Sequence, residues 1–446
     1  MSGFAYSLLG FLAAIAILVA VHEYGHFQVA RKLGVKVLKF SIGFGKPVVA
    51  WRRKGDPTEY CIGIIPLGGY VKMLDEHEGE VDPGERGMAF NRQSLGARSA
   101  IVAAGPAYNF LFAIFAIWLV LVAGSDDIEP LIGAVAENSA AQQAGFRTGD
   151  RLVRIDGREV RTWGQHQFYL THQAMKGNTV DFEVAGNDGG QRSIPVDFSA
   201  FDQYTIGNRP IPSQIGLSPP APPAEVFRIV PDSPAERAGL QPGDRVTAID
   251  ATPIGDWGEM VEYVSSRPGQ GLSLSVRRDG RQLEIQLTTE AVRADGREFG
   301  RIGLYRPPLQ NATLRYGPLA AIPASLDYNW RMTVVTLRSL GRMLSARMSS
   351  DNLSGPITIA RLAGHTIEAG YTDFLKFLAI ISISLGLINL LPIPLLDGGH
   401  LLYFAIEAVK GSPPSRKAML WGQQLGIAVL VLLMGVAFYN DIMRLF

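Results

Sequence analysis

The sequence predicts a polytopic α-helical membrane protein: four transmembrane helices, a small membrane-associated β-region, and two tandem α+β modules outside the membrane. Three observations carry that prediction. The 446 residues contain four long apolar runs, a Gly-interrupted β-branched stretch between the first two, and an internal repeat between the second and third. The apolar content sits in those few runs although mean hydropathy is only +0.13, which is a membrane-protein distribution.

Residues 1–31 form the first span. Phe4 to Val21 carries no charge and has no basic stretch ahead of it, so it reads as a retained helix and not as a secretory signal. The remaining spans are predicted at 99–123, 371–400 and 419–440. The stretch from Arg31 to Arg98 carries twelve Lys and Arg residues, and the 401–418 loop carries Lys410, Arg416 and Lys417. By the positive-inside rule both are cytoplasmic, which leaves both termini and the long segment after the second span on the outer side.

Within 32–98, Lys39 to Gly45 and Glu59 to Met73 read as short strands beside the membrane. Such strands either pack as a small sheet on the helices or offer an edge to an extended peptide. The outer segment repeats with an offset of 94 residues. Ser139, Ala141, Ala144, Gly145, Gly149, Asp150, Arg151, Ile155 and Asp156 recur as Ser233, Ala235, Ala238, Gly239, Gly243, Asp244, Arg245, Ile249 and Asp250. Each copy predicts a short helix closed by Ala-Gly, a turn ending in Gly-Asp-Arg, and a strand. The pattern resembles PDZ domains, here at 127–215 and 216–308. Modules of that kind accept peptides by strand addition; a steric spacer is the competing use.

Residues 316–370 form an amphipathic helical region. Leu326, Trp330, Val334, Leu337, Leu340 and Leu344 recur at helical spacing beside Arg331, Arg338, Arg342 and Arg347, which suits a membrane-surface helix or one packed against the repeats.

The chemistry is concentrated in the first span. His22-Glu23-Tyr24-Gly25-His26 places two imidazoles one turn apart on one helical face, with a glutamate positioned to handle protons of an attacking water. Ionisable groups in an apolar helix are costly and mark functional sites. The single cysteine, Cys61, excludes a Cys-rich zinc site, so Zn2+ must be held by His and carboxylate. A near-neutral balance of 42 basic and 41 acidic residues argues against a nucleic-acid partner.

A catalytic zinc takes three protein ligands, and no acidic residue occurs between Glu23 and Asp56. The strongest candidate for the third is Asp397, in Asn389-Leu390-Leu391-Pro392-Ile393-Pro394-Leu395-Leu396-Asp397-Gly398-Gly399-His400, with His400 as competitor. The first and third spans run in the same direction, and Asp397 lies near the same end as His22. Pro392 and Pro394 break helical hydrogen bonding ahead of it, which is tolerable in a membrane only where the backbone is buried or lines a wet cavity. Asn389 is an amide able to meet a substrate backbone or to bridge two helices.

HEYGH in the first span, Gly105-Pro106-Ala107-Tyr108-Asn109-Phe110 in the second, the tandem repeats and the NLLPIPLLDGGH stretch together resemble the site-2 proteases. The resemblance covers essentially the whole chain. It implies an intramembrane zinc metalloprotease with His22, His26 and Asp397 as ligands, Glu23 as catalytic glutamate, and Asn389, Pro392 and Pro394 in a substrate-cleft loop. It also implies a bacterial inner-membrane location and a single-pass substrate resembling an anti-sigma factor, trimmed first by another protease. The modules would then act as a gate. The rival is a membrane scaffold that binds peptide ends without catalysis, which a zinc assay separates.

Overall fold

The computed structural model describes residues 2–199, 201, 210–294, 297–305, 307, 312–344 and 355–443. Four helices are long and apolar enough to cross a membrane: Ala5–Lys32, Leu95–Ala123, Tyr371–Leu390 and Arg416–Met443. The first, second and third pack together through small residues. A Cβ on Gly25 would stand 2.5 Å from the carbonyl oxygen of Ala104, so glycine there lets the first two spans approach at backbone distance. The second and third spans share a core of Ala113, Ala116, Ile117, Ala379, Ile383 and Leu387. The fourth span exposes Trp421, Leu425, Val431 and Leu432, and Gly426 rests on the backbone of Pro394. Its outward apolar face is suited to lipid.

The third span differs from the expected 371–400. It ends at Leu390, the chain turns through 391–396, and a new helix, Asp397–Lys410, occupies most of the predicted 401–418 loop. Pro392 and Pro394 deny two backbone donors to the helix, which is the physical reason for the break. The turn folds back tightly. A Cβ on Gly398 would lie 2.2 Å from the carbonyl oxygen of Leu391, and one on Gly399 2.5 Å from that of Ile393. Leu395 has φ of +100°, a conformation costly for a bulky side chain and characteristic of functional loops.

The β-region is a folded sheet of two long strands, Val37–Arg52 and Glu59–Met73. Both bend, so Glu59–Ile62 pairs with 39–42 on one side and with 49–52 on the other, while Gly69–Met73 pairs only along 37–42. The sheet is anchored by Phe27, Ala30, Val35, Val37 and Ile101, and Gly69–Met73 is left as an edge beside the first span.

Each repeat has its own core and a four-stranded antiparallel sheet. The strand order is Arg158–Glu159, Arg151–Ile155, Thr179–Ala185, Gln191–Asp197 in the first, and Thr252–Pro253, Arg245–Ile249, Gly271–Arg278, Arg281–Thr288 in the second. The duplication extends to detail. A bulge between Leu152 and Arg154 recurs between Val246 and Ala248, and Ser139 and Ser233 each cap a short helix.

Of the two readings of the amphipathic region, the structure shows packing. The helix Pro318–Leu344 places Ala321 and Met332 among the second and third spans, sets Tyr328 edge-to-face against Phe168, and sets Arg331 over Tyr169 of the first repeat. Its Leu319, Trp330 and Leu337 remain exposed. Arg347 lies outside the described residues. A second helix, Pro356–Ala369, packs along the first span, and Asp441 of the fourth span accepts hydrogen bonds from the amides of Gly355, Ile357 and Thr358 at its start.

Candidate metal centre

His22 and His26 lie one turn apart near the end of the first span, and the third span's break delivers Asp397 to them. His22 Nε2 is 3.2 Å and His26 Nε2 3.5 Å from Asp397 Oδ2, and the two Nε2 atoms are 3.3 Å apart. Three atoms bound to one tetrahedral zinc at ordinary bond lengths stand about 3.3 Å from one another. The triangle therefore has the size of one face of such a coordination shell. Asp397 Oδ2 is buried and makes no hydrogen bond among the described residues, although it faces two ring nitrogens. Three converging lone-pair donors without a donor proton among them repel, and a cation removes that penalty.

The opposite ring nitrogens support the same arrangement. His26 Nδ1 donates to the carbonyl oxygen of Ile101 at 2.8 Å, which leaves Nε2 with its lone pair toward Asp397. His22 Nδ1 is 3.1 Å from the amide of Asn109, a residue with no solvent exposure. As placed, the Asn109 NH2 faces His22 while Oδ1 is buried without a partner. A half-turn of the amide puts its oxygen toward Nδ1, where it accepts the proton that a His ligating through Nε2 must carry there.

Glycine makes this apposition possible. A Cβ on Gly105 would fall 2.3 Å from His26 Nε2 and 2.8 Å from His22 Cε1. Ser382 of the third span donates to the backbone oxygen of Asn109 at 2.9 Å, which fixes the second span against the third at this level. Arg98 and Glu407, at 2.6 Å, tie the start of the second span to the helix that Asp397 begins.

Glu23 lies on the same helix, and Gly69 of the edge strand passes against it: a Cβ on Gly69 would be 2.8 Å from Glu23 Cγ. Asn389 reaches the cluster, with Nδ2 3.5 Å from His22 Nε2, longer than a well-formed hydrogen bond. Pro392 and Pro394 lie in the turn that carries Asp397. His400 is not part of the triangle; His22, His26 and Asp397 form the one such cluster among the described residues.

The model of peptidase family M50 matches residues 10–433. The chain belongs to peptidase family M50. Over 454 aligned positions, covering the full length of both chains, it is 41% identical to "Regulator of sigma-E protease RseP" of Escherichia coli strain K12. It is 40% identical to a "Putative zinc metalloprotease" of Xylella fastidiosa, across 99% of this chain and 100% of the relative. A "Putative zinc metalloprotease" of Neisseria meningitidis is 38% identical over 99% of each chain. As an M50 peptidase this chain is an intramembrane zinc metalloprotease, and the three-ligand cluster between its spans fits that chemistry.

Sequence reasoning assigned no role to Asn109, Gly105 or Ile101. Asn109 and Gly105 both fall in the GPAYNF stretch, and a buried-length apolar helix carrying an asparagine was the available signal.

Proposed function

We propose that the chain cleaves a transmembrane helix of a single-pass membrane protein, an anti-sigma factor-like regulator already trimmed by another protease, in envelope stress signalling at the bacterial inner membrane. His22, His26 and Asp397 hold zinc, and Glu23 is the catalytic glutamate. The carrying observation is the triangle of 3.2, 3.3 and 3.5 Å between the three ligand atoms.

When bound, zinc supplies a Lewis acid that makes hydroxide available near neutral pH. The Glu23 carboxylate takes the proton of the attacking water and returns a proton to the leaving amine. A helical substrate must unwind first, because its carbonyls are otherwise engaged within the helix. The edge at Gly69–Met73 offers backbone partners to the unwound segment beside Glu23, a setting in which unpaired backbone is costly. The Asn389 side chain and the Pro392–Pro394 turn border the same space and hold the substrate backbone there.

The repeats function as PDZ-like modules on the periplasmic side, with both termini, and gate the centre against untrimmed substrates. The basic residues of 32–98 and of 401–418 support that orientation. The test is a proteomic comparison of membranes containing the native chain or Glu23→Gln: a single-pass protein fragment present only with the native chain supports the reading, and identical membrane proteomes overturn it.

A further inference from the structure

A second polar site lies at the end of the first span, on the turns that follow the His22–His26 motif. There the helix and the β-region enclose a cleft of about 310 Å³. Its floor is aromatic: Phe27 meets Phe40 at 5.3 Å and Tyr60 at 5.9 Å between ring centroids. Its rim is cationic and comes from two elements. Arg31 of the helix lies over Phe27 at 5.2 Å, and Arg53, just beyond the first strand, lies over Tyr60 at 5.4 Å.

Local carboxylates do not balance this charge. Asp56 takes one nitrogen of Arg31 at 2.9 Å and the Tyr60 hydroxyl at 2.9 Å. Arg53 has no carboxylate partner among the described residues, and exposed Lys32, Arg52 and Lys54 add to the excess. Two guanidinium groups aimed at one cleft from separate elements repel unless an anion bridges them, and a phosphate diester accepts from both.

Position selects the kind of phosphate. The helix of the first span ends at Lys32, and Arg31 and Lys32 are its first Lys, Arg, Asp or Glu after Glu23, so the cleft lies where hydrocarbon gives way to headgroups. Toward the hydrocarbon, Tyr24 is 46% exposed and stands 5.9 Å from Tyr108, which provides an aromatic wall for an acyl chain. We propose that this cleft binds the phosphate of an anionic phospholipid, which clamps Arg31 of the span to Arg53 of the β-region. The clamp matters to the centre because the same β-region carries the Gly69 edge against Glu23.

The inference is independent of what the chain cleaves, and its test reads binding. Native mass spectrometry of the full chain in detergent compares phosphatidylglycerol with phosphatidylcholine of identical acyl chains, for the native protein, Arg53→Gln, Arg31→Gln/Arg53→Gln and Lys32→Gln/Lys54→Gln. At the usual contribution of a basic residue at an anionic membrane surface, the native chain prefers phosphatidylglycerol about 30-fold. Arg53→Gln reduces that preference about fivefold, the double arginine variant abolishes it, and the lysine variant retains it. Equal retention of the two lipids by the native chain, or an unchanged preference in Arg53→Gln, overturns the site. Displacement of the lipid by millimolar inorganic phosphate, with no dependence on acyl chains, reassigns the cleft to free phosphate and overturns the lipid assignment.

Discussion

Asp244 in the second repeat and Asp397 in the membrane region are both carboxylates withdrawn from water, with 0% and 18% side-chain exposure, and their surroundings differ in one respect. Asp244 is surrounded by donors: the Gln241 amide at 2.8 Å and two nitrogens of Arg278 at 2.6 and 2.7 Å. Asp150 repeats the arrangement with the Arg147 amide and Arg192. Charge and hydrogen-bond capacity close within each module. Asp397 instead faces two imidazoles from a distant helix, with the Nδ1 proton of His26 committed to the Ile101 carbonyl, and one oxygen unpartnered. A cluster that closes on itself holds a fold together. One left with converging lone pairs is a ligand set, and that residue-level difference separates structure from chemistry in this chain.

The contrast is sharpest when the ligand set is altered. Asp397→Asn removes the carboxylate from the triangle and is expected to lose zinc by elemental analysis while the fold, followed by circular dichroism, persists. Glu23→Gln should keep zinc and lower cleavage of a membrane-embedded substrate on the order of 10³-fold. Retained metal in the first, or retained cleavage in the second, breaks the assignment of roles.

Asp244→Ala supplies the opposite case. It strips Arg278 and the Gln241 amide of their acceptor and should destabilise the second repeat by about 3 kcal/mol. Hydrogen exchange should rise across 224–305, with zinc content unchanged. Loss of metal in that variant would mean that the two regions are energetically coupled.

How far these regions were legible in the sequence follows from the same distinction. The repeat, its caps and its Gly-Asp-Arg turns are local patterns, so residue spacing shows them directly. His22 and His26 are one helical turn apart and equally visible. Asp397 emerged by elimination together with the direction of the spans. Gly105, Ile101 and Asn109 could not be assigned, because their roles exist only once two helices lie side by side: a missing Cβ admits two rings, a carbonyl faces an imidazole, an amide reaches across. The break before Asp397 was signalled by two prolines, but the new helix Asp397–Lys410 was not: its first turn falls in the predicted third span and the rest in the predicted 401–418 loop. The packing of 318–344 was undecided for a related reason. An amphipathic face fits a membrane surface and a protein neighbour equally well until Tyr328 and Arg331 are seen against the first repeat.

Asn109 offers a finer probe. Asn109→Ala leaves all three ligands in place and removes only the acceptor for the His22 Nδ1 proton. Losses of partners of this kind weaken metal sites about 10–100-fold, so competition with a chromophoric chelator should show zinc affinity falling in that range. Asn109→Asp restores an acceptor and should recover most of it. An unchanged affinity in the alanine variant would reduce Asn109 to a helix-packing residue.

The smallest effect concerns the closed cluster nearest the centre. The Thr58 amide, with the Tyr60 hydroxyl and Arg31, holds the Asp56 carboxyl at about 2, below its ordinary value of 3.8. Because the folded value is the lower one, the contribution of Asp56 is complete above about pH 4 and disappears as pH falls toward 2. Asp56→Asn should therefore lower thermal stability modestly at pH 7 and converge on the native chain near pH 2. Zinc stoichiometry at pH 7 should be unaffected, as expected of a carboxylate that accepts from Thr58, Tyr60 and Arg31 and contacts none of the ligands. Loss of zinc at pH 7 in Asp56→Asn would show that the β-region's anchorage reaches the ligands through the first span, and would move this cluster from the structural class into the working centre.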